Sequence, residues 1–135
     1  MVTPGYLSIP DLKITVEGIA KLLSLIDTRK TTGPDNIPNV MLKMCAMELA
    51  PANASLFQDS VNTVNLPEDW RNANVSPVYK KSSRHLASNY RPVSLTCVCC
   101  KMLEHIIICR HMLNHLENHN IITPLQHGLE ADTRA

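Results

Sequence analysis

The sequence predicts an α+β fold with a helical N-terminal half, a basic antiparallel β-hairpin and a long C-terminal helix. Three observations carry this. Apolar residues recur at three- and four-residue steps from Thr15 to about Val64. They switch to short, β-branched, partly alternating runs between Val75 and Cys97, then return to helical steps from Lys101 to about Glu117. With 135 residues, 44% of them hydrophobic, the chain is one domain or part of one and can bury a modest core. Residues 1–13 are punctuated by Pro and Gly and read as an extended lead-in. Residues 14–129 form the body and 130–135 a diverged tail.

Thr15 is the expected N-cap of a first helix running to about Arg29. Ile19, Leu22, Leu23 and Ile26 fall on one face of it. Lys30 to Pro38 breaks regular structure. Gly33 can take a positive φ, Pro34 cannot continue a helix, and Asp35 or Asn36 can accept from backbone N–H groups ahead. Pro38 suits the first position of a second helix to about Leu49, with Val40, Met41, Met44 and Met47 or Cys45 as its inward stripe. Pro51 is expected to open a third helix to about Val64, with Leu56, Phe57, Val61 and Val64 inward. After the turn cluster 65–69, Trp70 anchors the turn onto the helices as a large buried ring.

Val75–Tyr79 and Pro92–Cys97 read as two antiparallel strands, with Pro77 and Pro92 placing them at an edge or at strand starts. The polar connection between them is too long for a tight turn. Met102, Ile106, Cys109, Leu113 and Leu116 mark the inward face of the last helix. Asn118 or Asn120 is a candidate left-handed cap.

Charge is segregated. Of 13 basic and 12 acidic residues, six basic ones (Arg71, Lys80, Lys81, Arg84, Arg91, Lys101) lie between Arg71 and Leu103, where there is no acid. Such a segment calls for an anionic partner. Lys80, Lys81 and Arg91 could share a face, with Arg gripping phosphate oxygens in a bidentate way and Lys acting as a mobile point charge. Only five aromatic residues are present, so nucleic-acid contact is expected to lean on phosphate charge rather than stacking.

Other chemistries find little support. No glycine-rich phosphate loop exists among four glycines, and the C-terminal acids are scattered. His111, His115 and His119 share a helix side, but without a Cys-x-x-Cys or a zinc-protease pattern. They read as a polar solvent-facing stripe, the alternative being a small metal-binding or protein-interaction module. Five cysteines with no framework spacing suit a reducing compartment, and the N-terminus lacks signal-peptide features. The expectation is cytosol or nucleus, with no membrane span.

Six motifs stand in a recognisable order: Gly33-Pro-Asp-x-Ile-Pro38, Pro67-x-Asp-Trp70, Ala73-x-Val-x-Pro-Val-x-Lys-Lys81, Ser88-Asn-Tyr-Arg-Pro-Val-Ser-Leu95, Lys101-x-Leu-Glu-His-Ile106 and Gln126-His-Gly128. Together they resemble the N-terminal part of LINE-type (non-LTR) retrotransposon reverse transcriptases, over about Ile14 to Gly128. The resemblance implies the fingers of an RNA-directed DNA polymerase and the start of its palm. Its partners would be an RNA template or RNA/DNA duplex and a nucleotide triphosphate. Arg91, with Lys80 or Lys81, would face the triphosphate or the template. The loop at Gly33, Pro34 and Asp35 would lie near the RNA template, and Gln126 and Gly128 would lead into the palm. Two departures stand out. Ser82-Ser83 replaces a Gly-Asp pair, and Leu129-Glu130 replaces Phe-Arg. The palm aspartates that hold the family's Mg2+ fall beyond position 135. The implied product is therefore a fragment truncated before the catalytic palm, with no catalytic residue of its own and, at most, residual nucleic-acid or nucleotide-phosphate binding.

Overall fold

The structure, a computed structural model, describes residues 8–122. It is α+β, with helices flanking one two-stranded antiparallel sheet. Two compact units are distinguishable: residues 14–102, and described residues 8–13 together with 103–122.

In the first unit, helix α1 (Val16–Ser24) is capped as expected, the Thr15 hydroxyl accepting from the Gly18 N–H at 3.2 Å. It buries Ile19 and Leu23, with Leu22 and Ile26 half-buried. The helix stops at Ser24, well short of Arg29. The cause is local: the Asp27 carboxylate accepts the backbone N–H of Arg29 at 3.0 Å and its guanidinium at 3.1 and 3.2 Å. That turn competes with helix, and the Arg29 fork holds the Asp27 carboxyl down to about 2.

Helices α2 (Asn39–Met44) and α3 (Ala46–Thr63) are separated only by Cys45. The expected inward stripe of α2 is turned outward. Met41, Met44 and Met47 are 56%, 79% and 74% exposed, Val40 and Cys45 are exposed, and the buried residues are Asn39 and Leu42. Asn39 explains the rotation. Its side-chain amide donates to the carbonyls of Asp27 (3.1 Å) and Lys30 (3.0 Å), pinning that side of a two-turn helix inward.

Helix α3 begins five residues before Pro51, which sits inside it. There the proline removes one intrahelical donor without ending the helix. The buried face is Ala46, Ala50, Ala54, Phe57 and Ser60; of the expected set only Phe57 is fully inward, and Leu56 and Val64 are exposed. The alanine row lets α1 pack closely on α3. Trp70, in a 3-10 turn at Glu68–Arg71, meets Phe57 edge-on with centroids 5.3 Å apart, the anchor the sequence predicts.

α3 ends on Val64 in the left-handed region, φ 54°, 91% exposed, its N–H bonded to the Ser60 carbonyl. A β-branched residue is strained there. Val64→Gly is expected to raise stability by about 1 kcal/mol in urea unfolding; an unchanged or lower midpoint would show that the turn carries no strain.

Helix α4 (Val98–His105) starts three residues before Lys101 because Cys97 caps it. The Cys97 carbonyl accepts from the Lys101 N–H at 3.2 Å and its Sγ from the Cys100 N–H at 3.4 Å. Burial pushes the Cys97 thiol up and that of Cys99 to about 11, so neither is a thiolate at neutral pH.

In the second unit the helix continues as a π-helical stretch, Ile106–Met112, then α5 (Leu113–Asn118). Ile106 and Leu113 are buried as predicted, but Cys109 is exposed and His115, expected to face solvent, is buried. The wider turns of the π segment shift the helical phase, so the α-helical count misplaces Cys109 and His115. Asn120, φ 51°, takes the left-handed position. Among the described residues no helix is long and apolar enough to cross a membrane.

Candidate functional site

Strands β1 (Asn74–Tyr79) and β2 (Tyr90–Leu95) pair antiparallel, with Val78 opposite Arg91 and Tyr79 opposite Tyr90. The Lys80 N–H donates to the Asn89 carbonyl at 2.8 Å, adding one rung. Hydrogen-bonded rungs alternate along such a ladder, so Pro77 and Pro92, which face each other, occupy a non-bonded rung. Neither proline breaks a ladder bond. Each instead removes an outward N–H, blunting one edge of the sheet.

Paired residues share a face and successive ones alternate. One face carries Ser76, Val78, Val93 and Leu95, and ends in Arg91 and Lys80. Ser76, Val93 and Leu95 are half-buried, while Arg91 and Lys80 are exposed. Arg91 and Lys80 are diagonal neighbours, which in such a ladder lie about 7–8 Å apart, within reach of one phosphate group for two long side chains. Lys81 lies past the ladder in a bend, so the register places two of the three expected cations together and leaves the third unassigned to a face.

The opposite face carries Val75, Pro77, Tyr79, Tyr90 and Pro92. The connection 80–89 is folded back on its two tyrosines. The Tyr79 hydroxyl donates to the Ser82 carbonyl and the Tyr90 hydroxyl to the Arg84 carbonyl at 2.9 Å. The Asn89 amide donates to the Ser83 carbonyl at 2.6 Å, and the Arg84 guanidinium lies 5.2 Å from the Tyr79 ring centre. Sequence reading missed this tyrosine pair, whose rings are 5.6 Å apart. Only the strand register reveals it.

Ser82 has φ 80° and stands where the resembling family has glycine. Ser82→Gly is expected to stabilise the loop by about 1 kcal/mol, read as a higher urea midpoint; no gain would mean that the hydroxyl or its surroundings offset the strain.

Gly33 is buried but does not have a positive φ; Asn36 does, at 54°. Gly33 is required for a different reason. A Cβ there would lie 2.5 Å from Cys97 Cα, 2.6 Å from Cys97 N and 2.7 Å from the Thr96 carbonyl oxygen. The loop thus rests on the backbone just past β2. The Asp35 carboxylate accepts the Ile37 N–H at 3.3 Å, an internal turn bond, and Pro34 is half-buried. Cys97 follows Arg91 by six residues, roughly 20 Å of extended chain. Loop and cations therefore occupy opposite ends of β2. Gln126 and Gly128 lie outside the described residues.

Among the described residues the only ion pair is Asp27 with Arg29. Lys80, Lys81, Arg84 and Arg91 have no acidic partner there, and the hairpin has no acid of its own. No group of three His, Cys, Asp or Glu comes together among the described residues. The three or four protein ligands that a zinc site uses are thus not assembled there. His115 and His119 meet with ring planes tilted by 60° and ring centres 4.5 Å apart, His115 being buried. The hairpin can hold an anion, and it presents no nucleophile–base pair.

Over 123 residues the chain is 27% identical to a probable RNA-directed DNA polymerase from transposon BS of Drosophila melanogaster. Over 132 residues it is 22% identical to the RNA-directed DNA polymerase from mobile element jockey of the same organism. These alignments cover 90% and 93% of this chain, but 13% and 14% of the two relatives. No protein-family profile matches. The similarity to mobile-element RNA-directed DNA polymerases bears out the resemblance to a LINE-type reverse transcriptase fragment.

Proposed function

We propose that this chain is the fingers segment of a non-LTR element's reverse transcriptase, and that its hairpin tip holds phosphate. The observation that carries this is the ladder register: it sets Arg91 and Lys80 side by side, exposed, on a hairpin without acids. Arg91 supplies a planar fork for two phosphate oxygens and Lys80 a mobile charge beside it. Lys81, in the adjacent bend, adds to the field at the tip. The anion is the triphosphate of an incoming nucleotide or the backbone of the template. The loop at Gly33, Pro34 and Asp35 meets the template at the far end of β2, and Gln126 and Gly128 lead toward the palm. Mg2+ and the polymerase step belong in this reading to acidic residues of the longer enzyme. The chain itself contributes binding and orientation, and is inactive alone.

Fluorescence anisotropy with a labelled RNA at two salt concentrations tests this. Binding should weaken steeply with salt, with a log–log slope falling by about 0.7 for each phosphate contact to a single strand that is removed. The double variant Lys80→Ala, Arg91→Ala should bind about tenfold more weakly at low salt, with a shallower slope. No binding at low salt, or a double variant indistinguishable from the parent, would sink the reading.

A further inference from the structure

On the sheet face opposite Arg91 and Lys80 lies an open hollow of about 510 Å3, lined by Val75, Pro77, Arg84, His85, Ala87, Tyr90 and Pro92. Its lining is mostly apolar and includes Arg84 and His85. Three features make it more than a bare apolar patch. Arg84 is held in place, its carbonyl taken by the Tyr90 hydroxyl and its guanidinium 5.2 Å from the Tyr79 ring centre. The facing prolines each remove one outward donor from a sheet edge, which weakens strand addition there and favours an occupant on the face. No acid lies between Arg71 and Leu103, so the Arg84 guanidinium is left for a ligand's negative charge.

The occupant these features select has a flat, largely apolar body and an attached anion. We infer that the hollow is a second nucleic-acid subsite that receives one unpaired base of a single strand. The base would lie on Tyr90, Pro77 and Pro92, with its phosphate against Arg84 and His85. A hollow of this size holds a nucleotide with room for water, and Arg–aromatic surfaces bind bases of any identity. The inference rests on the nucleic-acid reading above and adds base contact to it, where the sequence expectation leaned on phosphate charge rather than stacking. Phosphate would be gripped on one face of the hairpin and an unpaired base on the other.

The test uses the 135-residue chain and two labelled twelve-nucleotide single strands of equal phosphate number, oligo(dT) and a wholly abasic strand. Anisotropy at low salt should show oligo(dT) binding about tenfold tighter. Ala87→Trp, which fills the hollow from an exposed position, and Arg84→Ala should each bring that ratio toward one. Lys80→Ala with Arg91→Ala should weaken both strands alike and keep the ratio. Equal binding of the two strands by the parent overturns the base subsite while leaving the phosphate reading intact. A ratio unchanged in both Ala87→Trp and Arg84→Ala overturns the hollow as its location. Failure of both strands to bind overturns this subsite and the phosphate reading together. If a peptide alternating Asp and Phe binds the parent but not Ala87→Trp, and the strand ratio is one, the hollow belongs to a protein partner and the inference fails.

Discussion

Phe57→Ala is expected to lower the stability of this chain by about 3–5 kcal/mol, the largest single-residue effect the fold offers. Phe57 is fully buried on α3, one turn beyond the alanine row Ala46, Ala50 and Ala54 that lets α1 approach. Its ring also receives the edge of Trp70, which fixes the turn leading into β1. Truncation therefore opens a cavity and removes the surface against which the hairpin's entry is held. Neighbouring alanines cannot fill the space, and a helix held at close range cannot collapse further. Small domains have about 5–15 kcal/mol in total, so the variant should be largely unfolded or near its midpoint without denaturant. Urea unfolding followed by circular dichroism, with Trp70 fluorescence as a second probe, measures this. A loss below about 1 kcal/mol would mean that the Phe57 site is not a packed core.

Gly33→Ala is the second. One added methyl carbon would lie within 2.5–2.7 Å of three backbone atoms at Thr96 and Cys97, where no flexible side chain can yield. The loop from Gly33 to Pro38 or the start of α4 must move, at an expected loss of about 1–3 kcal/mol. Because Cys97 caps α4, a shift there also disturbs the bonds to the Cys100 and Lys101 N–H groups. Hydrogen exchange should report both places, with faster exchange at Asn36 and at Lys101 and little change at the hairpin tip. Parent-like stability and protection in the variant would contradict the close approach. The prediction separates two accounts of one glycine. Were the residue needed for a positive φ, Gly33→Asn would be tolerated. With close approach as the reason, asparagine fails as alanine does.

The local periodicities were informative wherever a residue's neighbours in sequence are also its neighbours in space. Thr15 as a cap, the period-2 runs of the two strands, Trp70 as an anchor and Asn120 in a left-handed position all follow from backbone preferences acting over a few residues. The failures have one kind of cause. Methionines on α2 look like core until Asn39 reaches back across the chain to the Asp27 and Lys30 carbonyls and rotates them outward. Pro51 looks like a helix start, but the alanine row has already committed α3 to packing five residues earlier. Cys109 and His115 exchange their expected environments because a π-helical stretch changes the period on which the count depends.

The candidate site divides in the same way. Lys80, Lys81, Arg84 and Arg91, and the lack of any acid among them, could be read from the residues alone, since charge needs no fold to be counted. The motif order likewise pointed to mobile-element polymerases before any coordinate, and the two relatives agree. Which cation meets which could not be read. A ten-residue connection leaves strand register open, and a slip of one residue would exchange the two faces of a strand. The ladder, extended by the Lys80–Asn89 rung, put Arg91 with Lys80 on one face and the tyrosine pair with the hollow on the other. Sequence by itself determined the kind of fold, the charge and the resemblance to mobile-element polymerases. Tertiary structure decided which side chains share a face, because that depends on hydrogen bonds between residues far apart in the chain.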